Sequence, residues 1–591
     1  MAFYPKLNET QQQVLTTQVF AGYDHNVRAR DGAFFDMMNM SGRNYPLVVT
    51  RQERRKVHDM ENPGGLIAKD QLYWVDNGRL YAGGNPTGLY LDPDTSKQLV
   101  SMGAYIVVWP DKKYINTQDL NDYGEIDNTV TMNGAKVTIE PAMQDGTVYA
   151  MDTAVHGPTA PTEADNGELW VDTSGETHIL NRYNAATDTW VQIPTVYLKI
   201  SADGIGAGFS AGDGVNISGL SYTPDPEDAE GIGEQVAFLN ADTILQAVDT
   251  NYLLVIGIVD QVVTIEESGE IKVARHCPDM DYICESNNRL WGCYYGLVDG
   301  KPVNEIYASK LGDFKNWRSF AGLSTDSYTV SVGTDGVFTG AVTYQGYPMF
   351  FKETCIHRVY GNQPSSYQMQ TTVCRGVEKG SAASLCQVGE VLYYKGRTEV
   401  LAYDGSLPQN VGQALADVRY SNGVGGSIGS LYYLSMLDAN GEPHLFVYDV
   451  EKHLWHREDA ERPTVFAQLD DDLYYLTATD MKAVSGGTES VSWRLDTAVM
   501  GYDYPEQKYL SRWLIRAAAE CGQTVCVYFQ YDSSGSWEHA GEIVGQGATR
   551  SFVVPVIPRR CDHMQMRLEG TGYFKLFSLS RVLEKGGDPI C

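Results

Sequence analysis

Basic residues are scarce in this chain of 591 residues: 45 Lys and Arg stand against 75 Asp and Glu, a formal charge of −30. A surface of that sign repels nucleic-acid phosphates and anionic membranes, so tight binding to either is not expected. Long apolar runs are missing too. The longest is "YLLVIGIV", Tyr252 to Val259, far short of the roughly 20 residues a membrane-crossing helix needs, so no membrane insertion is expected. The opening "MAFYPKLNETQQQ" has no basic n-region followed by an apolar stretch, and no signal peptide is expected. The ten cysteines are scattered. The nearest group, Cys277, Cys284 and Cys293, has gaps of 7 and 9, which fits neither a zinc ribbon nor a zinc knuckle and reads as reduced, packed thiols.

Catalytic signatures are equally sparse. There is no His-Glu-x-x-His and no phosphate-cradling glycine loop before a helix. "DPDTSKQLV" starts like a calcium loop at Asp92 but lacks the sixth-position Gly and the closing Glu. His453 and His456 are three apart, which on a strand places them on opposite faces and argues against a shared metal. Asp470, Asp471 and Asp472 read as turn residues. A glycosidase needs two facing carboxylates, and no pair stands out among so many. The expectation is therefore a chain with no catalytic, metal-binding or cofactor-binding residues.

Helical periodicity is scarce: "ETQQQVLTTQVF" and "KYLSRWLIRAAAE" are short candidates, and the second reads equally well as a strand. What the chain has instead is tyrosine (38) and glycine (59), which suit half-buried strands and tight turns. It also repeats itself. Leu392-Tyr393-Tyr394 returns as Leu431-Tyr432-Tyr433 after 39 residues and as Leu473-Tyr474-Tyr475 after a further 42. Met349 holds the matching place 43 residues before Leu392. Related strands occur near Gln71, Ala104 and Arg289, and each is followed by a polar turn and a second strand.

A hairpin unit recurring about every 40 residues matches the blade of a β-propeller. Stacked neighbours would cover the faces a lone blade leaves open. The alternative is an array of β-sandwiches. The expected class is all-β: a propeller of about six to eight blades, an inserted small β-rich platform and a C-terminal β region that closes the propeller. The boundaries read as an N-terminal arm over 1–30, propeller over 31–141 and 236–500, insertion over 142–235 and C-terminal region over 501–591. Tyr73, Trp74, Trp291, Trp317, Phe350, Tyr393, Tyr432 and Tyr474 are the expected anchors between blades.

The period breaks at the insertion, where residues 151–234 carry fourteen acidic groups against Arg182 and Lys199, a balance of −12. It is either a solvated decoration or a platform for subunit contact or channel lining. Its candidate residues are Glu163, Asp165, Glu168, Asp172, Glu227, Asp228 and Glu230.

Several stretches resemble one family. They are "GAFFDMMNMSGRNYPLVVTRQERRK" from Gly32, "CPDMDYICESNNRLWGC" from Cys277, "NEIYASKLGDFKNWRSFAG" from Asn304, "GYPMFFKETCIHRVYG" from Gly346, "RGVEKGSAASLCQVGEVLYYKGRTEVLAYDG" from Arg375 and "VPVIPRRCDHMQMRLEGTGYFKLFSLSRVLEKGGD" from Val554. Together they are similar to the β-propeller tail proteins of tailed bacteriophages, the nozzle and packaged-DNA stabilisation group; the insertion lies outside the resemblance. It implies a non-enzymatic virion tail component, assembled in the bacterial cytoplasm as a homo-hexameric ring with other tail and portal proteins, past which double-stranded DNA slides without tight binding. A glycan-binding or glycan-cleaving propeller of a tail spike is the competing expectation.

Overall fold

A computed structural model describes residues 12–226, 228–501, 507–554, 556 and 559–585. The fold is β-propeller-like, and its regular elements are nearly all strands. Seven sheets share one plan, in which four antiparallel strands follow one another in order. Sheet one covers residues 63–90, sheet two 98–125, sheet three 282–331, sheet four 340–373, sheet five 386–410 and sheet six 421–457. Sheet seven is built differently. Three of its strands lie within 465–486, and the fourth, Arg54–Asp59, comes from the other end of the chain and pairs antiparallel with Asp480–Gly486.

Local sequence explains the hairpins. Asn77-Gly78 and Asp299-Gly300 both sit with positive φ at each residue (48° and 70°, 49° and 74°). This is the two-residue turn whose twist matches that of the flanking strands, and it selects Asn-Gly and Asp-Gly.

The first strands of successive sheets contact one another from one to two, two to three and three to four. The Ala382–Ser384 turn, just before sheet five, bridges the first strands of four and six, and the series runs on through six and seven back to one. Each junction has its own apolar filling. Sheets one and two share Tyr73, Leu80, Ile106 and Val108. Sheets two and three share Val107, Trp109 and Leu290 with Trp317, and three and four share Trp291, Ile306 and Phe350. Phe351 and Tyr394 fill four and five; Tyr433 and Tyr475 fill six and seven; Trp74, Leu476 and Met481 fill seven and one.

The Leu-Tyr-Tyr triplets follow from this. Neighbours on a strand point to opposite faces, and here both faces are covered. Tyr394 packs toward sheet four while Tyr393 packs toward sheet six; Tyr432 looks back to sheet five and Tyr433 on to sheet seven. Tyr475 is buried against sheet six, and Tyr474, half-buried, faces sheet one. Buried phenols find acceptors: Tyr432 Oη donates to the Ser384 carbonyl at 2.7 Å, and Tyr394 Oη to the Arg375 carbonyl at 2.8 Å.

Near the centre the sheets crowd. A Cβ on Gly425 would lie 2.8 Å from the Ser384 carbonyl oxygen, and one on Gly426 would lie 2.4 Å from Phe466 Cβ. These adjacent glycines let the first strand of sheet six pass between its neighbours.

Two further units hang on this array. Strands between residues 128 and 275 pair only with one another, in three small sheets around the helix Ile232–Phe238. That unit is wider than the 142–235 read from the broken period, because its flanking strands Asn128–Met132 and Ile271–Arg275 pair with each other and look locally like any other strand.

The second unit is a two-sheet sandwich made from both ends of the chain. Phe34–Met38 pairs with Ser492–Thr497, and Val48–Thr50 and Gln12–Thr17 pair with the last strand, Phe574–Lys585. The C-terminal region, which the sequence reading assigned to closing the propeller, pairs within this sandwich, and the fourth strand of sheet seven is Arg54–Asp59. Both helical candidates are strands, Gln12–Thr17 and Lys508–Ala519; the latter buries alternate residues.

An ion cluster fastens the sandwich to sheets six and seven. The buried Arg54 guanidinium reaches Glu458 at 2.5 Å and Asp459 at 2.8 Å and also contacts Glu461. Arg51 adds Glu489 at 2.8 Å and Asp459 at 3.5 Å. Burial pushes the Asp459 carboxyl up, but Arg54 and Arg51 outweigh it and hold it below the usual range. A guanidinium suits this place because its rigid fork serves several carboxylates at once.

Candidate functional site: the axial cavity

One cavity of about 1030 Å³ is lined by residues from all seven sheets or the turns leading into them, among them Leu66, Leu99, Tyr282, Ala341, Ala383, Gly425 and Phe466. Its size sits at the top of the range of small-ligand sites, about 300–1,000 Å³. The wall is mostly small and apolar because first strands meet there. Polar groups are few: Ser96, Gln98, Thr464 and Gln468 reach it, with Lys97 and Asp281.

Most of these polar groups are already fixed. Gln98 exchanges two hydrogen bonds with the Ile283 backbone, donating at 2.7 Å and accepting at 3.1 Å. Lys97 is buried and bonded to Thr95 and Asp111. Trp109 Nε1 donates to the Met280 carbonyl at 2.6 Å. Asp281 differs. It stays accessible at the cavity wall and accepts from the Tyr295 N–H at 3.1 Å, yet desolvation raises its carboxyl above the usual range. A perturbed acid in a concave, largely apolar site is a hallmark of ligand-binding positions. Among the described residues, Asp281 is the only carboxylate in the lining.

The anchors expected from sequence are placed as follows. Tyr73 lies between sheets one and two, Trp317 between two and three, Trp291 and Phe350 between three and four, and Tyr393 and Tyr432 between five and six. Trp74 and Tyr474 face each other's sheets at the seven–one junction. None of the eight lines the axial cavity.

The acidic candidates are dispersed. Glu163, Asp165 and Glu230 are exposed; Glu168, Asp172 and Asp228 are half-buried; Glu227 lies outside the described residues. Three of them serve their own loops. Asp228 accepts from Gln261 at 2.6 Å, from the Tyr222 hydroxyl at 2.8 Å and from the Asp225 N–H at 2.7 Å. Asp172 accepts from the Ser174 N–H at 2.9 Å and Glu168 from the Asp165 N–H at 2.8 Å. Sequence reasoning missed Asp281, although it lies in the quoted stretch "CPDMDYICESNNRLWGC". Nothing local separates it from Asp279 two residues earlier; only the meeting of the first strands puts it at the cavity wall.

No family model matches the chain, and no curated protein matches it. Solved structures do. An exo-β-1,3-galactanase from Phanerochaete chrysosporium is 10% identical, with 50% of this chain and 92% of that chain covered at a TM-score of 0.19. A glycoside hydrolase family 43 arabinoxylan arabinofuranohydrolase from Bacillus subtilis is 9% identical over 50% and 94%, with a TM-score of 0.18. The extracellular domain of a hybrid two component system from B. thetaiotaomicron is 8% identical over 86% and 99%, with a TM-score of 0.16. The expectation of a chain without enzymatic activity is corrected accordingly: glycoside hydrolases stand among the structures it is similar to, and the exclusion is withdrawn.

Proposed function

We propose that the seven four-stranded sheets form one closed seven-bladed β-propeller, and that the chain recognises a neutral glycan in the axial cavity. The observation that carries this reading is the cavity itself, framed by those seven sheets, with aromatic rings (Trp109, Tyr282 and Phe466) and the desolvated Asp281 in its wall. Sugar C–H faces pack on such rings, and hydroxyls bond to carboxylate and amide oxygens. The −30 charge disfavours an anionic ligand. The function proposed is recognition, with Asp281 the carboxylate that the described lining offers to sugar hydroxyls.

A glycan array probed with the purified chain tests it. Ala383 is exposed and lines the cavity, so Ala383→Trp fills the space without touching a core. We expect that variant and Asp281→Asn each to weaken binding of any array hit by about tenfold or more, about 1.4 kcal/mol. An array without hits, or hits that Ala383→Trp leaves unchanged, refutes the reading.

The resemblance to phage tail proteins supports a second reading, a ring-forming tail component, and the exposed Glu163, Asp165 and Glu230 favour it as an acidic outer surface. The cavity within a single chain is the size of a small-ligand site, whereas the major groove of a DNA duplex alone is about 12 Å wide. Any DNA path would therefore run between copies of the chain. Negative-stain images of the purified protein with axial rings support this reading; monomers alone refute it.

A further inference from the structure

The outer face of the sandwich carries a cluster that neither the sequence motifs nor the axial cavity accounts for. Cys526, His539 and Glu542 place one ligand atom each within 4.8 Å of one another. Cys526 and Glu542 are directly opposed on the antiparallel strands Thr524–Tyr531 and Glu538–Val544. His539 reaches them through a backbone irregularity. In a regular strand Ala540, two before Glu542, would share its face. Here the register shifts between Val527 and Tyr528, so that Tyr528 opposes His539. Ala540 packs against the sandwich core, and His539 is exposed beside Cys526 and Glu542. Bulges of this kind re-aim a side chain.

We propose that Cys526, His539 and Glu542 form a binding site for a divalent transition metal, with zinc the best-fitting ion. Thiolate, imidazole and carboxylate are the donor set zinc takes, at about 2.0–2.3 Å from the ion. Tetrahedral bonds of that length separate ligand atoms by roughly 3.3–3.8 Å, so modest side-chain turns close the present spacing. Three protein ligands leave a fourth position for water. The nearby cation, Arg567, faces Tyr528 in the register but is bound at 2.6 Å to Asp496, and its other amine lies 3.6 Å from Glu569. Its charge is thus largely met from within the sheet. On binding, the Cys526 thiol gives its proton to solvent and the thiolate ligates the ion, so affinity rises with pH.

The position of the cluster gives the metal a purpose. Among the described residues, Glu538–Val544 is the last strand in its sheet, paired on one side only with Thr524–Tyr531. A metal bridging Cys526 to His539 and Glu542 clips that edge strand to its neighbour.

The test is a Co²⁺ titration of the full chain after chelator treatment, read by the thiolate-to-cobalt charge-transfer band. We expect one equivalent of Co²⁺ to produce the band and Zn²⁺ to displace it. Cys526→Ser should abolish the band. His539→Ala should weaken binding beyond the ~10–100-fold typical of losing a residue that only orients a ligand. Zn²⁺ should slow hydrogen exchange in residues 538–544 of the wild type. Loss of the band in Cys526→Ser separates this thiol from the eight other described cysteines, all of them free. If it persists in Cys526→Ser, or the wild type gives no band, the site is refuted. Should Cys526→Ser misfold by circular dichroism, unaltered Co²⁺ affinity in a folded His539→Ala refutes it equally.

Discussion

Replacing Arg54 is the sharpest probe of how the sandwich and sheet seven are joined. Its guanidinium has only 4% of its surface exposed and meets three carboxylates, those of Glu458, Asp459 and Glu461. Arg54→Met fits the space but leaves those acids short of a cation. Arg51 still reaches Asp459, and Lys482 still reaches Glu461, so the loss is partial. Removing one partner from a buried ion pair costs about 3–5 kcal/mol, most of it from the stranded charge. The pH dependence follows from the sign of the Asp459 shift. Its folded pKa is depressed, so its contribution is fully present above the unfolded value near 3.9 and fades as pH falls through the folded one. The defect in Arg54→Met should therefore be full at pH 7 and shrink in acid as the stranded carboxylates take up protons. Urea unfolding at pH 7 and pH 3, with hydrogen exchange over 54–59 and 480–486, reads both quantities. Arg54→Lys should fall between, having the charge without the fork. A loss under about 1 kcal/mol, or one independent of pH, refutes the argument that this cluster bears charge in a dry place.

Other consequences are as direct. Burial lowers the pKa of His357, with Lys352 adding to the effect, and of His456, each to about 4. Both stay neutral in the fold while the unfolded chain protonates near 6.5, so stability should decline as pH falls from about 6.5 toward 4, by up to roughly 3 kcal/mol for each. His456→Gln should flatten that slope in urea titrations across the range. Trp291, 2% exposed between sheets three and four, should cost about 3–5 kcal/mol as Trp291→Ala, measured by denaturation midpoint. Deleting residues 1–60 removes Arg54–Asp59 and bares the edge of Asp480–Gly486; light scattering should then report aggregation through that edge.

Much of the strand architecture is legible in the sequence. The Leu-Tyr-Tyr triplets mark second strands because alternate burial against two neighbours demands bulky residues at consecutive positions, and Tyr393 and Tyr394 meet that demand on opposite faces. Asn77-Gly78 announces its turn. What escapes is non-local. Nothing in "RRKVHD" signals that Arg54–Asp59 completes a sheet whose other strands lie over 400 positions away, since a strand on a sheet edge needs no apolar pattern of its own: five of its six residues are exposed. The axial cavity escapes for a related reason. Gly425, Ala341 and Ala383 are defined by what they leave empty, and a small residue carries no signal until its neighbours are in place. His539 belongs with them, because a bulge decides which face it joins.

The donated strand also bears on the order of events at the ribosome. Arg55 and Asp472, bonded across sheet seven at 3.0 Å, are 417 residues apart. At about 5–20 residues per second, translation takes roughly 20–80 s to cover that distance. Over that time the nascent chain makes six sheets one after another, and Arg54–Asp59 waits without a mate. Anything able to shield that strand until its partner emerges would set the yield of intact protein.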